Sequence, residues 1–138
     1  MKEPASLASV SCSAPGECRA VGYALDDSID HNQYALIDDQ KKYVWAYGAA
    51  AVAADANGGA AGLQSISCVG ATFTCMSAGY YSTAKQGRAP MIQTTDSKDH
   101  SQVTADLIPT EDNSAELDAT SCAANGFCQS VGSASDPG

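Results

Sequence analysis

Three stretches of the chain alternate apolar and small polar residues with a period of two. They are residues 7–12 (LASVSC), 63–68 (LQSISC) and 117–122 (LDATSC). Because side chains two positions apart lie on the same face of an extended chain, this pattern predicts three half-buried β-strands.

Each predicted strand is followed by a turn and a return strand. The first and third turns, residues 13–17 (SAPGE) and 123–127 (AANGF), are rich in turn-forming residues. All three return strands begin with the pattern Cys-x-x-x-Gly, as in residues 18–22 (CRAVG). Each stretch therefore predicts a β-hairpin.

The three hairpins form an internal repeat. Their first cysteines follow one another at intervals of 56 and 54 residues. Self-similarity at a nearly fixed period indicates a repeat architecture. We expect one domain over residues 1–138, with a first repeat at about 5–60, a second at about 61–114 and a partial third at about 115–138.

Two cysteines flank the turn of every hairpin, where they lie opposite each other at a distance that suits a disulfide bond. The predicted bridges are Cys12–Cys18, Cys68–Cys75 and Cys122–Cys128. Six free thiols and a zinc site remain as alternatives. The spacing is wider than the Cys-x-x-Cys pairs of most zinc sites, and His31 and His100 do not recur with the repeat.

The segments between the hairpins predict two more strands in each complete repeat. These strands cover residues 33–37 and 42–47, and residues 89–94 and 101–105. Residues 49–62, which are rich in Ala and Gly, are expected to be mostly loop. The predicted fold class is all-β, built from repeated four-stranded antiparallel units that each contain a disulfide within one hairpin.

The hairpin signature resembles cysteine-paired repeats found in bacterial secreted and cell-surface proteins, some of them β-propeller-like. The resemblance covers the three hairpins but not the segments between them. It implies propeller-like blades in an incomplete ring, and extracellular scaffolding or binding rather than a particular reaction. The third copy departs from the signature at Ser133, where the other copies have Tyr.

Tyr43, Trp45 and Tyr47 are the candidate ligand-binding aromatics. They lie two positions apart, so a strand over 42–47 places them on one face. Such a face either packs against a neighbour or is an exposed platform on which a sugar ring stacks. The second repeat has no matching aromatic triplet, so the repeat itself does not require one.

An acidic loop adds three candidate contacts, Asp26, Asp27 and Asp30, which would accept hydrogen bonds from ligand hydroxyl groups. Calcium is a weaker interpretation of this loop. The glycine and the distal glutamate of an EF-hand loop are both missing. We expect neither a bound metal nor a cofactor.

Composition narrows the classes of partner. The formal net charge of −9 argues against nucleic acid and against anionic lipid. No apolar run approaches the length that spans a bilayer, so we expect no membrane insertion. Disulfides imply an oxidising compartment: secreted, periplasmic or cell surface. Because no secretory signal opens the chain, we expect Met1 to begin a mature or excised segment.

The sequence favours a non-catalytic binding module for a glycan or a protein ligand. The alternative is a structural component of a surface or appendage assembly. A glycan-active enzyme is less well supported, because no catalytic motif is found and no carboxylate pair recurs. An incomplete third repeat leaves a strand edge unpaired, so we expect a homo-oligomer or a larger array.

Overall fold

The described part of the chain is all β-structure. The computed structural model describes residues 4–26, 32–50, 56–70, 72–83, 87–104 and 114–135. The strands are β1 (Ala5–Ala14), β2 (Glu17–Asp26), β3 (Asn32–Lys41), β4 (Val44–Ala49), β5 (Ala56–Val69), β6 (Thr74–Thr83), β7 (Ala89–Thr95), β8 (Ser101–Thr104), β9 (Ser114–Cys122) and β10 (Cys128–Ser135). Nowhere in these ranges is there a helix that could cross a bilayer.

The strands form three antiparallel sheets in chain order. The first sheet is β1-β2-β3-β4, the second is β5-β6-β7-β8, and the third is the pair β9-β10. This confirms the four-stranded antiparallel units and the shorter third copy. Among the described strands, no sheet closes into a barrel and the three sheets do not complete a ring. The turns after β1, β3, β5, β7 and β9 lie at one end, which we call the disulfide end.

Three predicted boundaries were wrong. Strand β3 continues to Lys41 rather than ending at residue 37. Strand β4 begins at Val44, because Lys42 and Tyr43 both have positive φ, 50° and 67°, and form the two-residue turn after β3. Strand β5 begins at Ala56, inside the predicted loop 49–62. Its Gly-rich start pairs irregularly with β6, with a register shift before Ala61. Pairing with a neighbouring strand outweighs the low β-propensity of glycine there.

All three hairpins contain a β-bulge at the same position of the repeat. The register skips one residue between Leu7 and Ser9, and the same skip follows Leu63 and Leu117. The glycine of the return strand faces each bulge. A Cβ atom at Gly22 or Gly79 would overlap the carbonyl oxygen of the partner strand. The pattern of Leu, any residue, then Ser or Ala, with a distant Gly, is therefore the sequence signature of this bulge.

The three predicted disulfide bonds are confirmed. Each joins residues that face each other in the strand register, with Cα–Cα distances of 3.9, 4.0 and 4.0 Å. The bonds are Cys12–Cys18, Cys68–Cys75 and Cys122–Cys128. These three bonds within single hairpins suggest that the chain resides in an oxidising compartment.

The sheets pack face to face. The main core cluster lies between the first and second sheets and combines Val21 and Ile37 from the first with Leu63, Ile66 and Met91 from the second. Strand β5 packs on β1, β2 and β3, and β9 packs on β5, β6 and β7 in the same way. The third sheet therefore covers the second sheet as the second covers the first.

Serine hydroxyls connect the first strands of successive sheets. Ser9 Oγ accepts from the backbone N–H of Ile66 (3.3 Å), and Ser11 Oγ accepts from that of Cys68 (3.0 Å). One repeat later, Ser65 Oγ and Ser67 Oγ accept from the N–H groups of Thr120 (2.8 Å) and Cys122 (3.0 Å). We call these contacts the serine ladder. They explain the paired serines of LASVSC and LQSISC.

Candidate binding face

One face of the first sheet is exposed along its outer strands β1 and β4. On the inner strands of the same face Ala20, Ala24 and Leu36 are buried, at 3%, 4% and 5% exposure. Leu63 and Ile66 of the second sheet lie in the core against the first sheet, and the bulge between them puts both on one face. Leu7 and Val10 occupy the same positions in the first repeat. They therefore lie on the side of the first sheet that points away from the second sheet. We call this side the open face.

Trp45 belongs to the open face. The strand register places Cys12, Cys18, Gln40 and Trp45 in one row across the first sheet. Residues directly opposite each other in antiparallel strands share a face. The intervening β4 residues Ala46 and Gly48 line a cleft against the second sheet, so Trp45 points the other way.

The same positions differ sharply in exposure between the two repeats. Leu7 is 53% exposed, whereas Leu63 is 1% exposed. Val10 is 59% exposed, whereas Ile66 is 6% exposed. Trp45 is 48% exposed. Trp45 lies on the opposite edge of the sheet from Leu7 and Val10. Exposed large apolar side chains at positions that are buried in the second repeat, as at Leu7 and Val10, mark an interaction surface.

The third sheet has an exposed face on the side that points away from the second sheet. Val21 and Ala78 are both fully buried against the following sheet, whereas Val131, at the same repeat position, is 65% exposed. Ser121 corresponds to the ladder residues Ser11 and Ser67. We call the side of the third sheet that carries Ser121, Gln129 and Val131 the far face.

A buried arginine holds the first and second sheets together at the disulfide end. The Arg19 side chain is fully buried, and its guanidinium carbon lies 4.2 Å from the centre of the Phe73 ring. Its nitrogens donate to the Asp39 carboxylate (2.6 Å) and the Asp99 carboxylate (2.9 Å). They also donate to the backbone oxygens of Phe73, Thr95 and Asp96, at 3.0, 3.0 and 2.7 Å. All this charge is paired, as a buried guanidinium requires.

The two carboxyl groups around Arg19 have pKa values shifted in opposite directions. Burial raises the pKa of Asp39, and the nearby Asp99 charge adds to this, although Arg19 opposes it. Burial also disfavours the charged form of Asp99. However, hydrogen bonds and attraction from Lys41, together with a hydrogen bond from Arg19, hold its pKa below the usual range. This cluster is satisfied internally and stabilises the junction between the sheets.

The structure separates the predicted aromatic triplet. Tyr43 lies in the turn after β3, is exposed, and sits over Gly16 of the β1–β2 turn, to which its N–H is bonded at 3.4 Å. Trp45 is on the open face. Tyr47 lies in β4 opposite Asp38, and its side chain is outside the described part. The prediction that all three share one strand face was wrong for Tyr43, because Tyr43 belongs to the turn.

The predicted acidic contacts fall mostly outside the described residues. Asp26 ends β2, where only its backbone is described, and Asp27 and Asp30 lie in the range that is not described. His31 lies in that range as well. His100 is exposed beside Asp96, with His100 Nδ1 3.3 Å from a carboxylate oxygen. In the described ranges, no three His, Cys, Asp or Glu side chains converge as metal ligands would.

In the described part of the chain, three clefts between the sheets are considered as possible sites. One of about 220 Å³ is lined by Asp39 and Asp99 between the first and second sheets. Two others, of about 320 and 380 Å³, lie between the second and third sheets; the second of them is lined by the exposed ion pair of Arg88 and Glu116. Apart from residues already paired with one another, none of these clefts brings together groups that suggest catalysis.

Sequence reasoning missed the open-face residues Leu7 and Val10, and also Arg19. Leu7 and Val10 fit the repeat pattern, so nothing local distinguishes them from their buried counterparts. Arg19 could have been recognised from the sequence, because the other two copies have the uncharged residues Met76 and Gln129 at this position. A single charged residue at an otherwise uncharged repeat position indicates a contact specific to one junction.

Comparison with known proteins gives no relative. No protein-family model matches the chain, and a search of curated proteins finds no match.

Proposed function

We propose that the chain is a non-catalytic β-repeat module that binds a protein ligand through the open face. The observation that carries this proposal is the contrast between Leu7 and Val10, which are exposed, and Leu63 and Ile66, which are buried at the same repeat positions. Trp45 lies on the same face at the opposite edge of the sheet, and aromatic residues are enriched in interface hot spots.

We also propose that the stacked sheets are blades of a propeller-like array. Each complete repeat provides four antiparallel strands, and the serine ladder holds the first strands of successive sheets side by side. Successive blades of a β-propeller stack in this manner. The module belongs to a secreted, periplasmic or cell-surface protein, where three disulfides would persist.

The proposal is tested with displayed libraries of disulfide-closed hairpin peptides selected on the intact, oxidised chain. We expect most binders to lose affinity for Val10→Lys and Trp45→Ala variants and to shift the emission of Trp45, the single tryptophan. Val44→Lys, on the neighbouring exposed position of β4, is the control. Binders distributed over the surface, indifferent to Val10 and Trp45, would refute the proposal.

A glycan ligand is the second candidate, favoured by the exposure of Trp45 and Tyr43 near one end of the first sheet. Aromatic rings at this end would stack on a sugar ring. A glycan array and titrations followed by Trp45 fluorescence test it. Binding that is lost in Tyr43→Ala and retained in Val10→Lys would place a sugar site at the turn; an empty array with unchanged emission would exclude one among the glycans tested.

A further inference from the structure

The geometry points to a second copy of this chain as the ligand of the open face, docked through its far face in a head-to-tail manner. This inference rests on the proposed function and specifies its partner. We infer that the far face of one copy packs on the exposed β1 side of the open face of the next copy, as the second and third sheets pack through β5 and β9 on the sheets before them.

The internal junctions define what each face must provide. At the first junction, Ser9, Ser11 and Val21 of one sheet meet Leu63 and Ile66 of the next. At the second junction, Ser65, Ser67 and Ala78 meet β9. One sheet always provides hydroxyl acceptors and a small apolar side chain. The following sheet provides backbone N–H donors and a leucine. Ile66 adds a second large apolar side chain at the first junction, where the second junction has Thr120.

The far face and the β1 side of the open face carry the two halves of this pattern. The far face has Ser121 and Val131, and the open face has Leu7, Val10 and the backbone N–H of Cys12. By the register of both internal junctions, Ser121 Oγ accepts from the N–H of Cys12 in the second copy. Val131 then packs against Leu7 and Val10. Because the two faces differ, the contact is heterologous and produces either a closed ring or an open chain of copies.

This contact lacks two features of the first internal junction. Ala119 replaces the first ladder serine, so the N–H of Val10 finds no hydroxyl opposite it. Gln129 replaces Arg19, so no buried cation joins the sheets at the disulfide end. The net charge of −9 on each copy adds repulsion, which salt screens. We therefore expect association that strengthens with protein concentration and with ionic strength.

Sedimentation velocity of the oxidised chain over a range of concentrations tests the inference with Val10→Lys and Val131→Lys variants. Lysine reduces the net negative charge, so any loss of association is not a consequence of added repulsion. We expect the wild type to associate, each variant alone to remain monomeric, and an equimolar mixture to form dimers and nothing larger. Only a head-to-tail contact gives this result, since each variant retains one intact face.

A gain of affinity tests the register. Ala119→Ser restores the second rung of the serine ladder and should tighten association about 2- to 10-fold, the effect of one hydrogen bond. Asp118→Ser, at the exposed bulge residue, is the control and should not reproduce this gain. Both variants keep all six cysteines, and intact mass without reductant confirms the three bonds.

The outcomes separate this inference from the proposed function. A wild type that stays monomeric, or a Val131→Lys variant that still associates alone, would overturn the head-to-tail contact. If selected hairpins nevertheless bind the open face, the proposed function stands with a different protein partner. If Ala119→Ser leaves association unchanged, the serine register is wrong.

Discussion

The two junctions between sheets share one framework and differ in the side chains that join them. Both have serine hydroxyls that accept from the next strand, with the cysteine N–H at 3.0 Å in each. At the first junction the buried Arg19 donates to Asp39 of its own sheet and to five acceptors of the second sheet and its turns, the Cys75 sulfur among them. At the second junction the same position is Met76, whose sulfur accepts from Ser130 Oγ at 4.0 Å.

This difference shows which part of the repeat is general and which is local. The bulge, its glycine, the disulfide and the ladder set how one sheet stacks on another. Arg19 adds a contact that depends on Asp39 and Asp99, which the second repeat does not reproduce. The following predictions test this division, from the largest expected effect to the smallest.

Replacing Arg19 by the methionine of the second repeat should cost the most stability. Arg19→Met leaves the buried oxygens of Phe73 and Thr95 without a donor and Asp39 without its counter-charge, an expected loss of about 3–5 kcal/mol in the free energy of unfolding. Chemical denaturation of the oxidised protein measures it. Met76→Leu, a change of similar volume, should cost less than about 1.5 kcal/mol. Equal effects of the two variants would contradict the special role of the first junction.

Removing one disulfide should cost somewhat less, and the cost should depend on the hairpin. Chain entropy gives about 2.5 kcal/mol for each short loop. Cys75 is fully buried, and its Sγ lies 3.5 Å from a guanidinium nitrogen of Arg19. Cys122 and Cys128 are only half-buried. We expect the double variant Cys68→Ala/Cys75→Ala to lose more than Cys122→Ala/Cys128→Ala. Thermal unfolding of both variants under identical conditions decides this, and the reverse order would refute it.

The serine ladder should contribute equally at both junctions. Ser11→Ala and Ser67→Ala each leave one half-buried N–H unpaired, which should cost about 1–2 kcal/mol. Ser121→Ala is the matched control: its hydroxyl has no sheet to join in the isolated chain, so we expect no measurable loss at dilute concentration. Unequal losses at Ser11 and Ser67, measured by urea denaturation, would show that the ladder is not a general element of the repeat.

The opposite pKa shifts at the first junction predict opposite pH dependences. The pKa of Asp39 is raised above 3.8, so its stabilising contribution is full below pH 3.8 and is lost as pH rises through the folded-state pKa. Asp39→Asn should therefore gain stability relative to wild type as pH rises. The pKa of Asp99 is lowered, so its contribution is present above pH 3.8 and is lost as pH falls. Asp99→Asn should lose relative stability as pH rises. Parallel trends in denaturation between acidic and neutral pH would contradict the assignment.

The smallest expected effects are changes of opposite sign in the free energy of unfolding at Ser77 and Ser130, which occupy equivalent positions of the repeat. Ser77 is buried and its hydroxyl has no hydrogen-bond partner, whereas Ser130 bonds Thr120 Oγ1 at 2.9 Å. Ser77→Ala introduces the residue that the first repeat has at position 20, and should stabilise the chain by about 0.5–1 kcal/mol. Ser130→Ala should destabilise it by a similar amount. A loss in both variants would mean that the Ser77 hydroxyl has a partner such as a buried water.

The repeat pattern by itself determined the hairpins, their turns and the pairing of the cysteines. These features are local: the partners lie within a few residues of one another, and the alternation of side chains selects their faces. Strands β7 and β8 could also be predicted from the sequence, because they follow the second hairpin at the same spacing as β3 and β4 follow the first. The start of β5 could not be predicted, since a Gly-rich stretch forms a strand only when β6 is there to pair with it.

The candidate face was decided by tertiary structure alone. Leu7 and Leu63 have the same local pattern, and only the presence or absence of a sheet against them makes one exposed and the other buried. Arg19 likewise reaches across 54 to 80 positions in the chain to Phe73 and Asp99, a separation that no local pattern encodes. Burial depends on which faces meet, and that is a property of the packed sheets rather than of any single strand.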